Sequence, residues 1–167
     1  IYASNRFGEA LTIDVVDVQG ATGAGINARS GAEVVSITTT GNVVGATYGI
    51  KTATSGAGTQ QITVSGEVST TGGSLGEVPF AGVAIQIDTF GQTGQTVIDL
   101  QQGAQIQNER AELAIREEGG GDTSLILRDG AALAGSVDLG SGDDSVTIEG
   151  GADISLVSRI EGGLLDE

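Results

Sequence analysis

The chain has 167 residues, enough for one domain that buries roughly two-thirds of the surface it exposes when unfolded. Its 22 acidic and 7 basic residues leave a net charge of −15, which repels nucleic acid and anionic membranes but not cations or cationic partners. With no Cys and no His, a disulfide scaffold, a zinc finger, a thiol nucleophile and the commonest general base are excluded.

Aromatic residues make up 3% of the chain and Met and Trp are absent, so the core must be built from Ala, Val, Ile and Leu and be thin and regular. Gly occurs 29 times and Pro once, among many β-branched residues. Glycine in that company reads as turn punctuation in a β protein rather than as a linker. No run of 18 apolar residues predicts a membrane-spanning helix. The first residues do not pair a basic region with an apolar one, so an exported chain would take its signal from outside this segment.

In chain order, the first landmark is Gly25-Ile26-Asn-Ala28, followed by Gly49-Ile50-Lys-Thr, Gly82-Val83-Ala-Ile85 and Glu112-Leu113-Ala-Ile115, with starts 24, 33 and 30 residues apart. Between these copies runs a strand, Gly turn, strand unit. Ile37-Thr-Thr-Thr-Gly-Asn-Val43 is echoed 25 residues on by Ile62-Thr-Val-Ser-Gly-Glu-Val68. Looser forms occupy Val97 to Ile106, Leu125 to Leu133 and Val146 to Ile154. The turn glycines Gly41, Gly66, Gly103, Gly130 and Gly151 follow one another at 25, 37, 27 and 21 residues. Two interleaved landmarks with one order and a similar period define a repeat.

Each unit holds strands too short to bury an apolar face alone, and stacking units at the strand spacing of about 4.8 Å solves that problem. The prediction is an all-β fold, a right-handed parallel β-helix (β-solenoid) of roughly six coils with uneven loops, forming a rod about 30 Å long at that spacing. Residues 1–167 then make a single β-helix segment, with loops near 70–80, where Pro79 lies, and near 107–121. The stretch Asn108 to Glu118 has good helix formers and stops at Gly119-Gly-Gly121, but the repeat landmark favours a strand at Leu113 to Ile115. Ile1-Tyr2 and Leu164-Leu165 offer little apolar cover for terminal coils, so the segment is expected to be a fragment of a longer rod.

The Gly-Ala pairs Gly31-Ala32, Gly103-Ala104, Gly130-Ala131 and Gly151-Ala152, with Val137-Asp-Leu-Gly-Ser-Gly-Asp-Asp-Ser-Val-Thr-Ile148, resemble the passenger regions of bacterial autotransporters over most of Gly25 to Ile154. The resemblance implies export across the outer membrane of a Gram-negative bacterium and a secreted or surface-displayed, non-enzymatic segment. It implies a structural or adhesive role in cell adhesion, biofilm or virulence. Its partners would be a host or matrix protein, a glycan, or another copy of the chain. Such passengers normally continue into an outer-membrane barrel, and the end of this chain lacks the alternating strands and aromatic girdles of one, so this segment is not expected to insert in a membrane.

Gly140-Ser-Gly-Asp-Asp-Ser-Val-Thr147 resembles one copy of the calcium-binding nonapeptide of RTX proteins, with Gly140, Gly142, Asp144 and Val146 at its second, fourth, sixth and eighth positions and Leu139 in place of the first glycine. That resemblance implies calcium held at Asp143 and Asp144 in a calcium-stabilised secreted module. Calcium wants six to eight oxygens, however, and a lone copy offers few. The opposing reading is a tight turn in which Asp143 or Asp144 accepts hydrogen bonds from nearby backbone amides. The same pair invites comparison with pectinase-like β-helix enzymes, whose paired carboxylates protonate a leaving group and activate water. Their motifs include His and Arg-Ile-Lys, whereas this chain has no His and offers only Ser158-Arg-Ile-Glu161, so no catalytic residue and no organic cofactor is assigned.

Two phosphate-binding look-alikes fail on spacing. Gly45-Ala-Thr-Tyr-Gly-Ile-Lys-Thr52 has three residues between its glycines where a P-loop needs four, and Ile50 separates Gly49 from Lys51. Gly23-Ala-Gly25 with Ala28 leads into Arg29-Ser-Gly-Ala, which starts no helix and so presents no helix N-terminus to a pyrophosphate. Thr38-Thr-Thr40 and Gln101-Gln102 read either as a flat polar surface for a glycan or protein, or as solvated solenoid faces.

Overall fold

The computed structural model describes residues 1–6, 10–31, 34–55, 57–75, 78–80, 82–90, 94–108 and 113–162, without side chains at 73–75 and 78–80. Three all-parallel sheets wrap around one core. Sheet 1 takes Tyr2–Asn5, Ala24–Ser30, Tyr48–Ser55, Val83–Phe90, Leu113–Gly119, Ser136–Asp138 and Ile160–Glu161. Sheet 2 takes Leu11–Val15, Val34–Thr39, Thr59–Val64, Gln95–Leu100, Asp122–Leu127 and Ser145–Ile148. Sheet 3 takes Val18–Gln19, Val43–Gly45, Glu67–Thr70, Gln105–Asn108, Ala132–Ala134 and Asp153–Leu156. The chain visits sheets 1, 2 and 3 in turn, six times over, and then re-enters sheet 1. This is a parallel β-helix of six coils, numbered here 1 to 6 from the N-terminus.

The register explains why the aliphatic residues recur where they do. In sheet 1, Ile26 pairs with Ile50, Ile50 with Ile85, Ile85 with Ile115 and Ile115 with Val137. In sheet 2 the ladder is Ile13, Ile37, Ile62, Ile98, Leu125 and Val146, and in sheet 3 it is Val18, Val43, Val68, Ile106 and Leu133. Like sits on like at the strand spacing of about 4.8 Å, so each side chain packs on its copies above and below. The largest fully buried side chains are all Ile or Leu, as the near absence of aromatics requires.

Gly103, Gly130 and Gly151 have φ of 82°, 76° and 96°, and the next residue's N–H donates back to the carbonyl of Gln101, Arg128 and Glu149 at 2.9, 3.0 and 3.1 Å. These are stacked β-turns with glycine at the third position, as a type II turn demands. They drop Ala104 and Ala131 into the core with no exposed surface. Gly41 and Gly66 sit in the equivalent corner but need no positive φ, because the turn there is two residues shorter: Val64 pairs with Leu100, and Glu67 with Gln105. Gly31-Ala32 belongs to a different corner, between sheets 1 and 2, and Ala32 lies outside the described residues.

Three expectations are adjusted. The landmark alignment is displaced by two residues in its later copies, since Ile85 and Ile115, not Val83 and Leu113, lie in register with Ile26 and Ile50. Ala84 and Ala114 follow Gly25 and Gly49 at the corner, while Gly82 lies two residues earlier at φ 80°. The loop expected near 70–80 carries an antiparallel hairpin, Gly73–Leu75 with Val78–Phe80. The stretch 107–121 is largely strand, through Gln105–Asn108 and Leu113–Gly119, with 109–112 outside the described residues. The strand at Leu113 to Ile115 is present, and no helix occurs among the described residues.

Candidate functional site

Asp143 and Asp144 lie in the corner that joins sheets 1 and 2 in coil 6, laid directly on the same corner of coil 5. The Ser141 N–H and hydroxyl both donate to the Gly119 carbonyl, at 3.2 and 3.0 Å. The Asp143 N–H donates to Asp122 Oδ1 at 3.0 Å, and Asp144 Oδ1 accepts from the Thr123 N–H at 2.8 Å. Asp144 thus bonds a backbone amide as the turn reading requires, except that the amide belongs to the neighbouring coil. Among the described residues no three acidic side chains gather into a group able to hold a metal ion.

Beneath this corner the core turns polar. The inward row at the start of sheet 2 reads Val35, Gln60, Thr96, Thr123, and the next position along is Asp144. The inward row of sheet 1 reads Ala28, Thr52, Ile87, Glu117. The Glu117 side chain is 2% exposed. Thr89 donates its hydroxyl to Glu117 Oε1, and Oε2 has no partner among the described residues. Two glycines make the room. A Cβ on Gly140 would lie 1.9 Å from Oε2, and one on Gly119 would lie 2.9 Å from Oε1. Burial pushes this carboxyl from the ordinary 4.5 up to about 7; the Thr89 hydroxyl opposes the rise, and the charges of Asp144, Asp138 and Asp88 add to it. A raised carboxyl is the mark of a general acid. Here it faces the interior of the helix, where no polysaccharide can reach it.

On the outer surface, Arg116 pairs with Glu118 and Arg159 with Glu161 within one coil, whereas Arg128 and Lys51 form ion pairs between coils. Arg128 in coil 5 grips Asp99 of coil 4 through two bonds, Nε to Oδ1 at 2.9 Å and Nη2 to Oδ2 at 3.0 Å, and reaches Glu149 of coil 6 at 3.0 Å. Glu149 also accepts from the Asp129 N–H at 3.1 Å, and these two bonds hold its carboxyl below the ordinary range. Lys51 in coil 3 meets Asp88 of coil 4 at 2.9 Å and lies 4.9 Å from the centre of the Tyr48 ring.

The Thr row is only partly a surface. Thr38 and Thr40 face outward, but Thr39 is fully buried in register with Val64. Gln101-Gln102 occupies the turn after sheet 2 in coil 4 rather than a flat face.

No family model, characterised protein or solved structure matches this chain. The parallel β-helix therefore rests on the sheet order and register themselves. The glycine and aliphatic spacing signalled that helix, whereas Glu117 and Arg128 carried no motif. Strand alternation alone placed Glu117 inside, because in Leu113-Ala-Ile115-Arg-Glu117 it falls two residues from a core isoleucine.

Proposed function

We propose that this chain is a rigid, non-enzymatic β-helix segment of the autotransporter-passenger kind, secreted or displayed at the surface of a Gram-negative bacterium, which supports adhesion or biofilm formation. The observation that carries the reading is how the polar groups are used. Arg128, Lys51, Asp122, Asp144 and Glu149 all bond from one coil to the next, and the corner carboxyl with a raised pKa is sealed inside. A chain organised in that way is built for stiffness and for presenting its faces and corners, not for convergent chemistry. Its partners on this reading are a host or matrix protein, a glycan, or a second copy.

The test is binding of the purified protein to immobilised matrix proteins, to host cells and to itself at micromolar concentration. Retention on any of these supports an adhesive role. Failure on all of them, with turnover of pectin or alginate that is lost in Asp143→Asn and Asp144→Asn variants, would replace it with the polysaccharide-cleaving alternative.

A further inference from the structure

We infer that the outer face of coils 1 to 4, where sheet 1 turns toward sheet 2, is a binding site for an acidic polysaccharide. The register builds it. Two outward rows run side by side along the rod: Ser4, Arg29, Ala53 and Asp88 form one, and Arg6, Gly31, Ser55 and Phe90 form the other. The middle positions are small, so Ala53, Gly31 and Ser55 make the floor of a trough of about 260 Å³. Arg6 and Arg29 stand at one end and Phe90 at the other, with Tyr2 beside Ser4 on the first coil. Phe90 and Tyr2 are each 68% exposed, the most open aromatic rings among the described residues.

Charge decides the class of ligand. In a chain with a net charge of −15 these are two adjacent guanidinium groups that take part in no ion pair among the described residues, whereas Lys51, Arg116, Arg128 and Arg159 each have a carboxylate partner. Asp88, at the far end of the Arg29 row, is already engaged by Lys51 and by Gln86 Nε2 at 2.9 Å each. Guanidinium is the cation suited to planar, two-point recognition of carboxylate and sulfate. Arg6 and Arg29 lie on adjacent coils, about 4.8 Å apart along the rod and two residues apart across it, so they can meet anionic groups on one sugar or on neighbouring ones. An exposed aromatic ring at the end of a shallow trough covers the apolar face of a sugar ring. The rest of the surface repels a long polyanion, but that field is screened within about 8 Å at physiological salt, so the site suits a short anionic stretch.

This inference deepens the adhesive reading and rests on it for its biological role; the binding itself is tested separately. The whole protein is titrated with a uronate tetrasaccharide, a sulfated tetrasaccharide of the heparin type and a neutral maltotetraose, by calorimetry at low and at physiological salt. The two anionic arms decide between carboxylate and sulfate. The expected result is saturable binding of at least one of them and none of the neutral sugar. Arg6→Gln and Arg29→Gln should each weaken binding about tenfold or more, the scale of one charge-assisted hydrogen bond. Phe90→Ala should weaken it without altering its salt dependence. All three positions are solvent-facing, and an unchanged circular dichroism spectrum checks that each variant is folded. The proposal is overturned if the wild type binds neither anionic sugar at millimolar concentration, or binds the neutral one equally, or if the Arg6→Gln, Arg29→Gln double variant binds as the wild type does. If that double variant still adheres to matrix or cells, adhesion stands and this site falls.

Discussion

Glu117 ties the interior of the helix to pH, and the sign follows from the direction of its shift. In the folded chain the carboxyl holds its proton up to about pH 7, whereas in the unfolded chain it releases it near 4.5. Below pH 4.5 both states are protonated and the group adds no pH dependence. As pH rises from 4.5 to 7 the unfolded state ionises first, so stability falls by about 1.4 kcal/mol per pH unit. The total loss is about 3 kcal/mol, complete once the folded carboxyl also ionises. For a chain of this length that corresponds to roughly 6 to 12 °C in melting temperature. Glu117→Gln keeps the size and removes the titration. The assay is thermal or urea unfolding of both proteins from pH 4.5 to 8.5. Reading the difference between them cancels the general repulsion of an acidic chain. The wild type should lose stability relative to the variant across that window and hold a constant offset above it. Parallel curves for the two proteins would show that the carboxyl is not protonated in the folded corner, and the account of that corner would be wrong.

Removing one rung tests the core. Ile85→Ala leaves a gap between Ile50 and Ile115 and should cost about 2 to 5 kcal/mol by urea unfolding; a loss below 1 kcal/mol would mean the ladder is not packed as described. Arg128→Met should lower the melting temperature more at low salt than at 0.5 M, since it releases Asp99 and Glu149 together. Because Glu149 is held below the ordinary carboxylate range, its share of that stability is present above the unfolded value and is lost as pH falls through the folded one. An identical effect at both salt concentrations would reduce Arg128 to packing. Melts with calcium and with chelator should coincide, as Asp144 is committed to the Thr123 amide and, among the described residues, no three carboxylates converge on Asp143; a calcium-dependent rise would restore the cation reading.

The coils were legible because their signal is periodic and local. Aliphatic residues alternate within each strand, glycines mark the corners, and both recur at intervals that only stacking satisfies. The register in coils 4 and 5 was harder to read, because Val83, Ile85 and Ile87 are equally good core residues at period two and the corner glycine gives way to Ala84 and Ala114. Thr39 and Glu117 ran against polarity, since a residue of polar type occupies an inward position there and only its phase in the strand reveals it. The trough was invisible for a different reason. Its four main side chains, Tyr2, Arg6, Arg29 and Phe90, are separated by as much as three coils, and nothing in their neighbourhoods in sequence foretells that they meet.

Strands that lie across the rod send their hydrogen bonds along it, and this sets how the molecule bears a load. Tension applied between its two ends opens one layer of bonds at a time, as a zip does, instead of shearing many at once. The peeled lengths are unequal: consecutive core partners in sheet 1, from Ile26 through Ile50, Ile85 and Ile115 to Val137, are 24, 35, 30 and 22 residues apart. At about 3.4 Å per extended residue, successive steps release roughly 80, 120, 100 and 75 Å of chain. The rod therefore yields gradually under a pull, and its force trace carries a length signature by which each coil can be recognised as it leaves.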